Sequence, residues 1–241
     1  MNRTGLMIAL AVAVVVGVVF GLWPELDLRL VAPFFDADHG GFWRSYDPLY
    51  LRLRDGVTWL IALLALPGFV ALGLKLLRPG QRALIPARAA VLMIATLALG
   101  PGVLTNLVLK DHWGRPRPID VSQFGGTDEF RAWWDPRGSC PKNCSFVAGE
   151  PSGAFWTLAP AMLVPAPWRV IATLGALSLG AAVGLLRMAA GAHFFTDVVF
   201  AGLVTFLLIW VTHGMLYRWP RTPMSNGVGQ ISERVIRHLS T

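Results

Sequence analysis

The sequence predicts an all-α membrane protein in which six transmembrane helices form one bundle. Two observations lead to this prediction. Of the 241 residues, 54% are hydrophobic and only 15% are charged, whereas about a quarter of the residues in a soluble domain carry a charge. Long apolar runs also recur along the whole chain. Backbone groups in lipid must be hydrogen-bonded within their own segment, so such runs form helices, and their unbroken length excludes a transmembrane β-barrel.

The predicted helices follow one another in a single domain that covers residues 1–241. The first reaches about 28 Å at ~1.5 Å per residue, close to the hydrocarbon thickness of a bilayer. No small-residue cleavage site precedes Trp23, so we interpret it as a retained helix rather than a signal peptide. The fourth is short, and Pro165 and Pro167 then make a tight connection. The six helices are predicted at residues 5–23, 57–77, 89–109, 151–164, 168–186 and 194–216, followed by a cytoplasmic tail at 217–241.

Six crossings place the long polar loops 24–56 and 110–150 on one side of the membrane, together with the short link 187–191. Trp43 and Tyr46 in the first loop are suited to anchor the chain at the interface. Lysine and arginine are divided almost evenly between the two sides, so their number alone decides nothing. The other side concentrates its positive charge in the short connection 76–88 and in the tail, which is typical of the cytoplasm. We therefore expect the long loops of a bacterial inner-membrane protein to face the periplasm.

The net charge of +7 is compatible with several partners. Nucleic acid is disfavoured, because the basic residues lie between apolar runs rather than on one soluble face. Anionic lipid headgroups or a phosphorylated substrate fit better, and part of the excess is explained as a topology signal. The sequence does not predict the oligomeric state.

Cys140 and Cys144 are the only cysteines, and they lie in the second polar loop. A disulfide between them is favoured in an oxidising compartment, with two free thiols as the alternative, because the bridge would close a very small loop. A metal site would need more ligands than this loop offers, so no metal is expected.

The segment from Lys110 to Pro118, Lys-Asp-His-Trp-Gly-Arg-Pro-Arg-Pro, directly follows the third predicted helix. Its cations are compatible with side chains that extend to lipid headgroups. However, each proline restricts the residue before it to extended backbone, which directs Arg115 and Arg117. Arginine offers a planar fork to phosphate and lysine adds a point charge. The segment is therefore a candidate oxyanion-binding site.

His193 and Asp197 are four residues apart at the start of the sixth predicted helix, so their side chains share one face. A carboxylate inside an apolar segment is costly and indicates function. If Asp197 accepts a hydrogen bond from one imidazole nitrogen, it orients the ring and leaves the other nitrogen free to attack phosphorus. The alternative is a polar pair that only packs between helices.

The fourth predicted helix begins within the segment Ser145-Phe-Val-Ala-Gly149-Glu150-Pro-Ser152-Gly. Free backbone N–H groups at a helix start, here near Gly149, can bind phosphate oxygens. Ser152 and the glycines could equally serve capping and packing. The topology places this helix start at the same membrane face as the other two segments, and together the three segments describe phosphoryl transfer through a phosphohistidine.

The sequence resembles the type 2 phosphatidic acid phosphatases, whose signature reads Lys-x6-Arg-Pro, Pro-Ser-Gly-His and Ser-Arg-x5-His-x3-Asp. Lys110 to Pro118 match the first part, and Arg187, His193 and Asp197 match the third, with Leu186 in place of serine. The resemblance implies a six-helix membrane fold with His193 as nucleophile and Asp197 as its orienting partner. It also implies that Lys110, Arg117 and Arg187 bind the phosphate, and it implies no metal or other cofactor. Arg115 is a further candidate phosphate ligand from the segment Lys110 to Pro118 itself.

The second part of the signature departs from the family pattern. Either Ala154 replaces the motif histidine after Pro151-Ser152-Gly153, or Glu150 replaces it after Ser145-Phe146. We prefer the second alignment, because it keeps the Ser-Phe pair and places a proton-carrying group where the family has one. Glu150 is then the candidate general acid, if burial or neighbouring acids favour its protonated form. His112 is the second candidate.

These features predict a membrane lipid phosphatase that hydrolyses a phosphate monoester or pyrophosphate at the periplasmic face. The segments near Lys110, Phe124 and Cys144 are most similar to the lipid A 1-phosphatase branch. Undecaprenyl pyrophosphate and phosphatidylglycerol phosphate remain alternative substrates. A lipid phosphotransferase and a non-catalytic lipid-binding or transport protein on the same scaffold are the alternative functions, and the latter is supported only by the altered second motif.

Overall fold

The computed structural model describes residues 3–42, 47–78, 80 and 84–219. It is mostly helical, and five helices in this part of the chain are long and apolar enough to cross a membrane. These helices direct large apolar side chains outward; Trp59, for example, is 76% exposed and Leu77 is 81% exposed. Such surfaces suit a hydrocarbon environment, so the prediction of a multi-pass helical membrane protein is confirmed. The five spans are Arg3–Leu22, Pro48–Leu77, Ala87–His112, Ala166–Ala189 and Phe195–Arg218.

The elements are as follows. The helices are α1 (Arg3–Leu22), α2 (Glu25–Val31), α3 (Pro48–Leu77), α4 (Ala87–Leu97), α5 (Lys110–His112), α6 (Gly149–Trp156), α7 (Leu158–Ala161), α8 (Ala166–Ala189) and α9 (Phe195–His213). A π-helical segment, Ala98–Leu109, joins α4 to α5, and a second one, Gly214–Arg218, extends α9. Strands β1 (Phe35–Asp36) and β2 (Gly41–Phe42) pair in an antiparallel hairpin. Single 3₁₀ turns form at Ala32–Phe34, Pro118–Asp120 and Ser122–Phe124.

The fourth predicted helix differs most from its prediction. In place of one helix at 151–164, the chain forms α6 and then the short α7, with Thr157 between them. Pro160 has no N–H with which to continue the α-helical ladder, and the Thr157 hydroxyl donates to the carbonyl of Ala154 at 2.7 Å. The segment does not reach the length of the five candidate spans, so the sixth crossing remains a prediction.

The first polar segment, predicted as a loop over 24–56, contains α2, the β-hairpin and the start of α3. The helix α3 begins at Pro48, nine residues before the predicted start, because Asp47 caps it: the Asp47 carboxylate accepts from the backbone N–H of Leu49 at 2.8 Å. A capping acid followed by proline in the first turn is a strong helix start. The proposed anchors Trp43 and Tyr46 lie outside the described residues, as does nearly all of the predicted tail, from residue 220 onward.

The central helix of the described bundle is α6, which contacts α3, α8, α9 and the π-helical segment. Its residues Pro151–Trp156 are all buried. The buried indole of Trp156 donates to the hydroxyl of Thr96 at 3.0 Å, which ties α6 to α4. The N-terminus of α6 is therefore held in a fixed position between the helices that carry the candidate site residues.

Candidate active site

His193 lies in the tight turn between α8 and α9. Gly191 adopts a positive φ of +66° there, and a Cβ at this position would lie 2.3 Å from the ring of Phe42. Only glycine meets both requirements at low cost. The Gly191 carbonyl also accepts from the backbone N–H of Ile119 at 3.0 Å. The β-hairpin and the segment after the first motif thus fix the turn that presents His193.

The His193 ring is fully buried, and its hydrogen bond defines its tautomer. Its Nδ1 lies 2.8 Å from the backbone carbonyl oxygen of Ser145. A carbonyl oxygen can only accept, so Nδ1 carries the proton and Nε2 carries the lone pair. Within the described residues, Nε2 is buried and has no hydrogen-bond partner. A buried, unpaired imidazole nitrogen is suited to attack an electrophile.

The surroundings of His193 keep the ring neutral. Burial lowers the pKa of His193 well below its ordinary value of 6.5, and the positive charges of Arg187, Lys110 and Arg117 lower it further. These cations are the groups that the family resemblance assigns to phosphate binding, and we call them the cationic clamp. The same charges that would attract a phosphate dianion therefore also favour the nucleophilic form of the histidine.

Asp197 occupies a different position from the predicted one. Its carboxylate lies 3.9 Å from Nδ1 of His193, beyond hydrogen-bond distance. It instead accepts from the Ser145 hydroxyl at 2.5 Å and from the backbone N–H of Phe194 at 2.8 Å. The direct Asp197–His193 hydrogen bond is therefore absent, because the Ser145 carbonyl takes that place. Asp197 supports the nucleophile through Ser145 and through the first turn of α9.

Arg115 was a candidate phosphate ligand, and the structure corrects this prediction. Its side chain is fully buried and pairs with Asp197 at 2.5 Å and with Asp27 at 2.8 Å. It also donates to the Thr196 hydroxyl and to the Arg131 carbonyl, each at 2.9 Å. Burial lowers the pKa of Arg115, but the Asp197 and Asp27 carboxylates more than offset this, so its pKa lies above the ordinary value. The guanidinium is thus occupied by protein groups.

Sequence reasoning did not identify Asp27 or Thr196, although both are buried beside the candidate nucleophile. Asp27 accepts from the backbone N–H of Thr196 at 3.0 Å and from its hydroxyl at 2.5 Å. The only signal in the sequence was an acid between leucines in a short polar segment, which resembles many exposed helix faces. Its importance depends on a contact across 169 residues of chain.

Lys110 and Gly149, two candidate phosphate-binding residues, lie close together. A Cβ added at Gly149 would lie 2.9 Å from Oδ1 of Asn106 and 3.3 Å from Nζ of Lys110. The first turn of α6 therefore closely approaches the ammonium group, and a larger residue at position 149 would displace the Asn106 or Lys110 side chain. Unpaired N–H groups at a helix start and an adjacent ammonium group form a good anion site.

Arg117 is half-buried and reaches the same region from the segment after α5. One of its guanidinium nitrogens donates to the carbonyl of Asn143 at 2.7 Å. Burial lowers the pKa of Arg117, and the nearby charge of Arg187 lowers it further. A cation that lies close to another cation without a full set of protein partners is energetically suited to receive an anion.

Arg187 is held between Tyr50 and Glu150 at the end of α8. Its Nη1 donates to the Tyr50 hydroxyl, and its Nε lies 3.1 Å from a carboxylate oxygen of Glu150. The side chain of Glu150 is 35% exposed. The structure thus brings the candidate general acid into contact with the clamp. Tyr50 is a further residue that sequence reasoning missed.

The remaining predicted residues are placed as follows. Cys140 and Cys144 form a disulfide, and the N–H of Cys144 donates to the Lys110 carbonyl at 2.8 Å. His112 is exposed, with Nδ1 2.9 Å from the Val108 carbonyl of its own helical segment. Ser152 is not at the anion site: its buried hydroxyl contacts those of Thr105 at 3.1 Å and Thr205 at 2.9 Å. It links helices in the bundle, which corrects its assignment as a phosphate ligand.

Several known proteins are similar to this chain. Residues 89–221 match the PAP2 superfamily. The chain is 33% identical over 226 residues to a lipid A 4'-phosphatase of Francisella tularensis subsp. novicida, with 90% of this chain and 98% of that protein covered. It is 43% identical over 120 residues to a lipid A 4'-phosphatase of Rhizobium leguminosarum, covering 48% of this chain and 51% of that protein. No solved structure matches the chain.

Proposed function

The chain belongs to the PAP2 superfamily and is a membrane lipid phosphatase, and we propose that it removes a phosphate monoester from lipid A through a phosphohistidine on His193. The observation that carries the mechanism is the hydrogen bond from Nδ1 of His193 to the Ser145 carbonyl at 2.8 Å. It leaves the Nε2 lone pair buried and unpaired within the described residues, close to the cationic clamp. The proposed site faces the periplasm of the inner membrane.

The first chemical step forms a bond between Nε2 of His193 and phosphorus and breaks the bond from phosphorus to the lipid oxygen. The clamp stabilises the negative charge of the transferring phosphoryl group. The lipid oxygen must gain a proton as it leaves. In the second step, water attacks phosphorus, the N–P bond breaks, and inorganic phosphate and free imidazole are released.

Glu150 is the proposed donor of the proton to the leaving oxygen. A bound phosphate would replace Glu150 as the partner of Arg187, which frees the carboxyl group beside the reacting centre. His112 is less favourable, because it is exposed and its Nδ1 faces its own helical segment. Glu150→Gln should slow turnover at all pH values and remove one limb of the pH–rate profile, and His112→Ala should leave both unchanged. An unchanged Glu150→Gln profile would contradict this role.

The proposed substrate can lose either of two phosphates, the 1-phosphate or the 4'-phosphate of lipid A. The relatives from Francisella and Rhizobium are named 4'-phosphatases, which favours the 4'-phosphate. The similarity of the segments near Lys110, Phe124 and Cys144 to the lipid A 1-phosphatase branch instead predicted the 1-phosphate. Purified protein incubated with bisphosphorylated lipid A yields one of two monophosphorylated products, which mass spectrometry distinguishes. We expect loss of the 4'-phosphate.

The test of the whole proposal is phosphate release from lipid A, undecaprenyl pyrophosphate and phosphatidylglycerol phosphate, with labelled phosphate followed into the protein. Wild-type protein should carry acid-labile, alkali-stable label, and His193→Gln should carry none. Label that passes to a second lipid instead of water would indicate a phosphotransferase. If no substrate loses phosphate, the proposal is wrong.

A further inference from the structure

Asp27 stands out among the buried groups that the mechanism above does not use. It lies on α2, far before the residues 89–221 that match the family, and its side chain is only 1% exposed. It is linked to Arg115 by a 2.8 Å ion pair and accepts two hydrogen bonds from Thr196. A buried carboxylate with three donors is held in one geometry.

A continuous series of contacts leads from Asp27 to the nucleophile. Arg115 joins Asp27 to Asp197, and Asp197 accepts from the Ser145 hydroxyl at 2.5 Å. The Ser145 carbonyl in turn accepts from Nδ1 of His193. The two carboxylates also cap the first turn of α9 together, because Asp27 binds the N–H of Thr196 and Asp197 binds that of Phe194.

The charges in this series do not cancel when the enzyme is at rest. Each carboxylate receives hydrogen bonds from N–H or O–H donors, as expected for ionised groups, and Arg115 supplies one positive charge. One negative charge is therefore in excess in a buried region beside a neutral imidazole. Since Nδ1 keeps its proton against Ser145, bond formation from Nε2 to phosphorus places a positive charge on the ring. The excess negative charge then attracts the positive charge on the His193 ring. Because this attraction is absent from the resting enzyme, it stabilises the transition state selectively.

We propose that Asp27 is a positioning residue for phosphohistidine formation: through Arg115 and Asp197, it supplies the unmatched negative charge that offsets the cationic ring of phosphorylated His193. This inference rests on the proposed phosphohistidine mechanism and extends it to a segment outside the family match. The residues 89–221 would thus contain the reacting groups but not the complete electrostatic environment.

The experiment compares full-length wild-type enzyme with Asp27→Asn, Asp27→Glu and a control, Glu25→Gln, on the same short helix. Asparagine has nearly the shape of aspartate; it removes the charge and replaces one of the two acceptor oxygens by an NH2 group. In single-turnover assays with labelled lipid A, the rate of phosphohistidine formation per folded molecule should fall about tenfold or more in Asp27→Asn. The KM should stay within about twofold, because the clamp that binds phosphate is unchanged. Glu25→Gln should behave like wild-type enzyme.

The Asp27→Glu variant distinguishes the effect of the negative charge from the effect of the side-chain shape. It keeps the negative charge and moves it by one methylene, so formation should remain within about threefold of the wild-type rate. A larger loss in folded Asp27→Glu would overturn the proposal, and this comparison stands even if Asp27→Asn does not fold. Formation at the wild-type rate in Asp27→Asn would also overturn it. A wild-type enzyme that forms no phosphohistidine would refute the proposed function itself, a result distinct from an Asp27 variant that forms it normally.

Discussion

Arg115 and Arg117 are two residues apart in one motif, and the structure gives them opposite roles. Arg115 is fully buried and forms ion pairs with both Asp27 and Asp197. Arg117 is half-buried, and its guanidinium donates a hydrogen bond to the Asn143 carbonyl. We expect Arg115→Leu to reduce stability severely, and Arg117→Leu to reduce phosphate binding while the fold persists.

The magnitude follows from the partners that each substitution leaves behind. Without Arg115, two buried carboxylates lose their cation, and removal of one partner from a buried ion pair costs about 3–5 kcal/mol. For a chain of this length each kcal/mol lowers the melting temperature by about 2–4 °C, so Arg115→Leu should melt roughly 6–20 °C lower. Arg117→Leu removes one hydrogen bond at a partly exposed site, worth about 1 kcal/mol.

The assay is a thermal melt of both variants in the same detergent, monitored by size-exclusion chromatography, together with steady-state kinetics on lipid A. Arg117→Leu should lower kcat/KM by about two orders of magnitude or more, since it removes a charge-assisted contact to the transferring phosphoryl group. An Arg115→Leu variant with the wild-type melting temperature would refute the structural assignment. Equal destabilisation by the two substitutions would refute it as well.

Three further outcomes are expected. Gly149→Ala should raise KM several-fold, about 1 kcal/mol of lost binding, because the new methyl displaces Lys110; a wild-type KM would contradict this. Hydrogen bonds from Arg137 lower the pKa of Asp135 to about 2, so Asp135→Asn should lower the melting temperature above pH ~4, with the difference vanishing as the pH falls toward ~2. A difference that persists at low pH would exclude this cause. Ser152→Ala should cost about 1 kcal/mol of stability and leave kcat/KM unchanged, as expected for a hydrogen bond between membrane helices; a large kcat/KM loss would return Ser152 to the active site.

The membrane class and four of the helices were predictable because apolar runs and their length report directly on transfer into lipid. The start of α3 and the end of α6 were harder to predict. Asp47 and Pro48 carried a capping signal inside a segment that otherwise resembles a polar loop. The break at Thr157 depends on the missing N–H of Pro160 and on the hydrogen bond from the Thr157 hydroxyl to the Ala154 carbonyl, which periodicity does not report.

The candidate residues divide in the same way. Spacing and residue type predicted Lys110, Arg117, Arg187 and His193 as site residues, because a phosphate site needs cations and a nucleophile within short, ordered motifs. The sequence pattern does not predict that the Ser145 carbonyl, rather than the Asp197 carboxylate, accepts the hydrogen bond from the His193 ring. The two acceptors differ by about an ångström in their distance from Nδ1 (2.8 and 3.9 Å).

The sequence thus determined the membrane environment and the lipid phosphatase family, and it predicted the phosphate-binding and reacting residues from residue type and local spacing. Only the tertiary structure showed that the Arg115 side chain is buried and that Ser152 contacts other helices inside the bundle. It also showed that Asp27 contacts the first turn of α9, 169 residues later in the chain. The positions of these three residues depend on which buried polar groups contact one another. A buried charge is tolerated only beside a specific partner, and partners that are distant in the chain are recognisable only once the helices have packed.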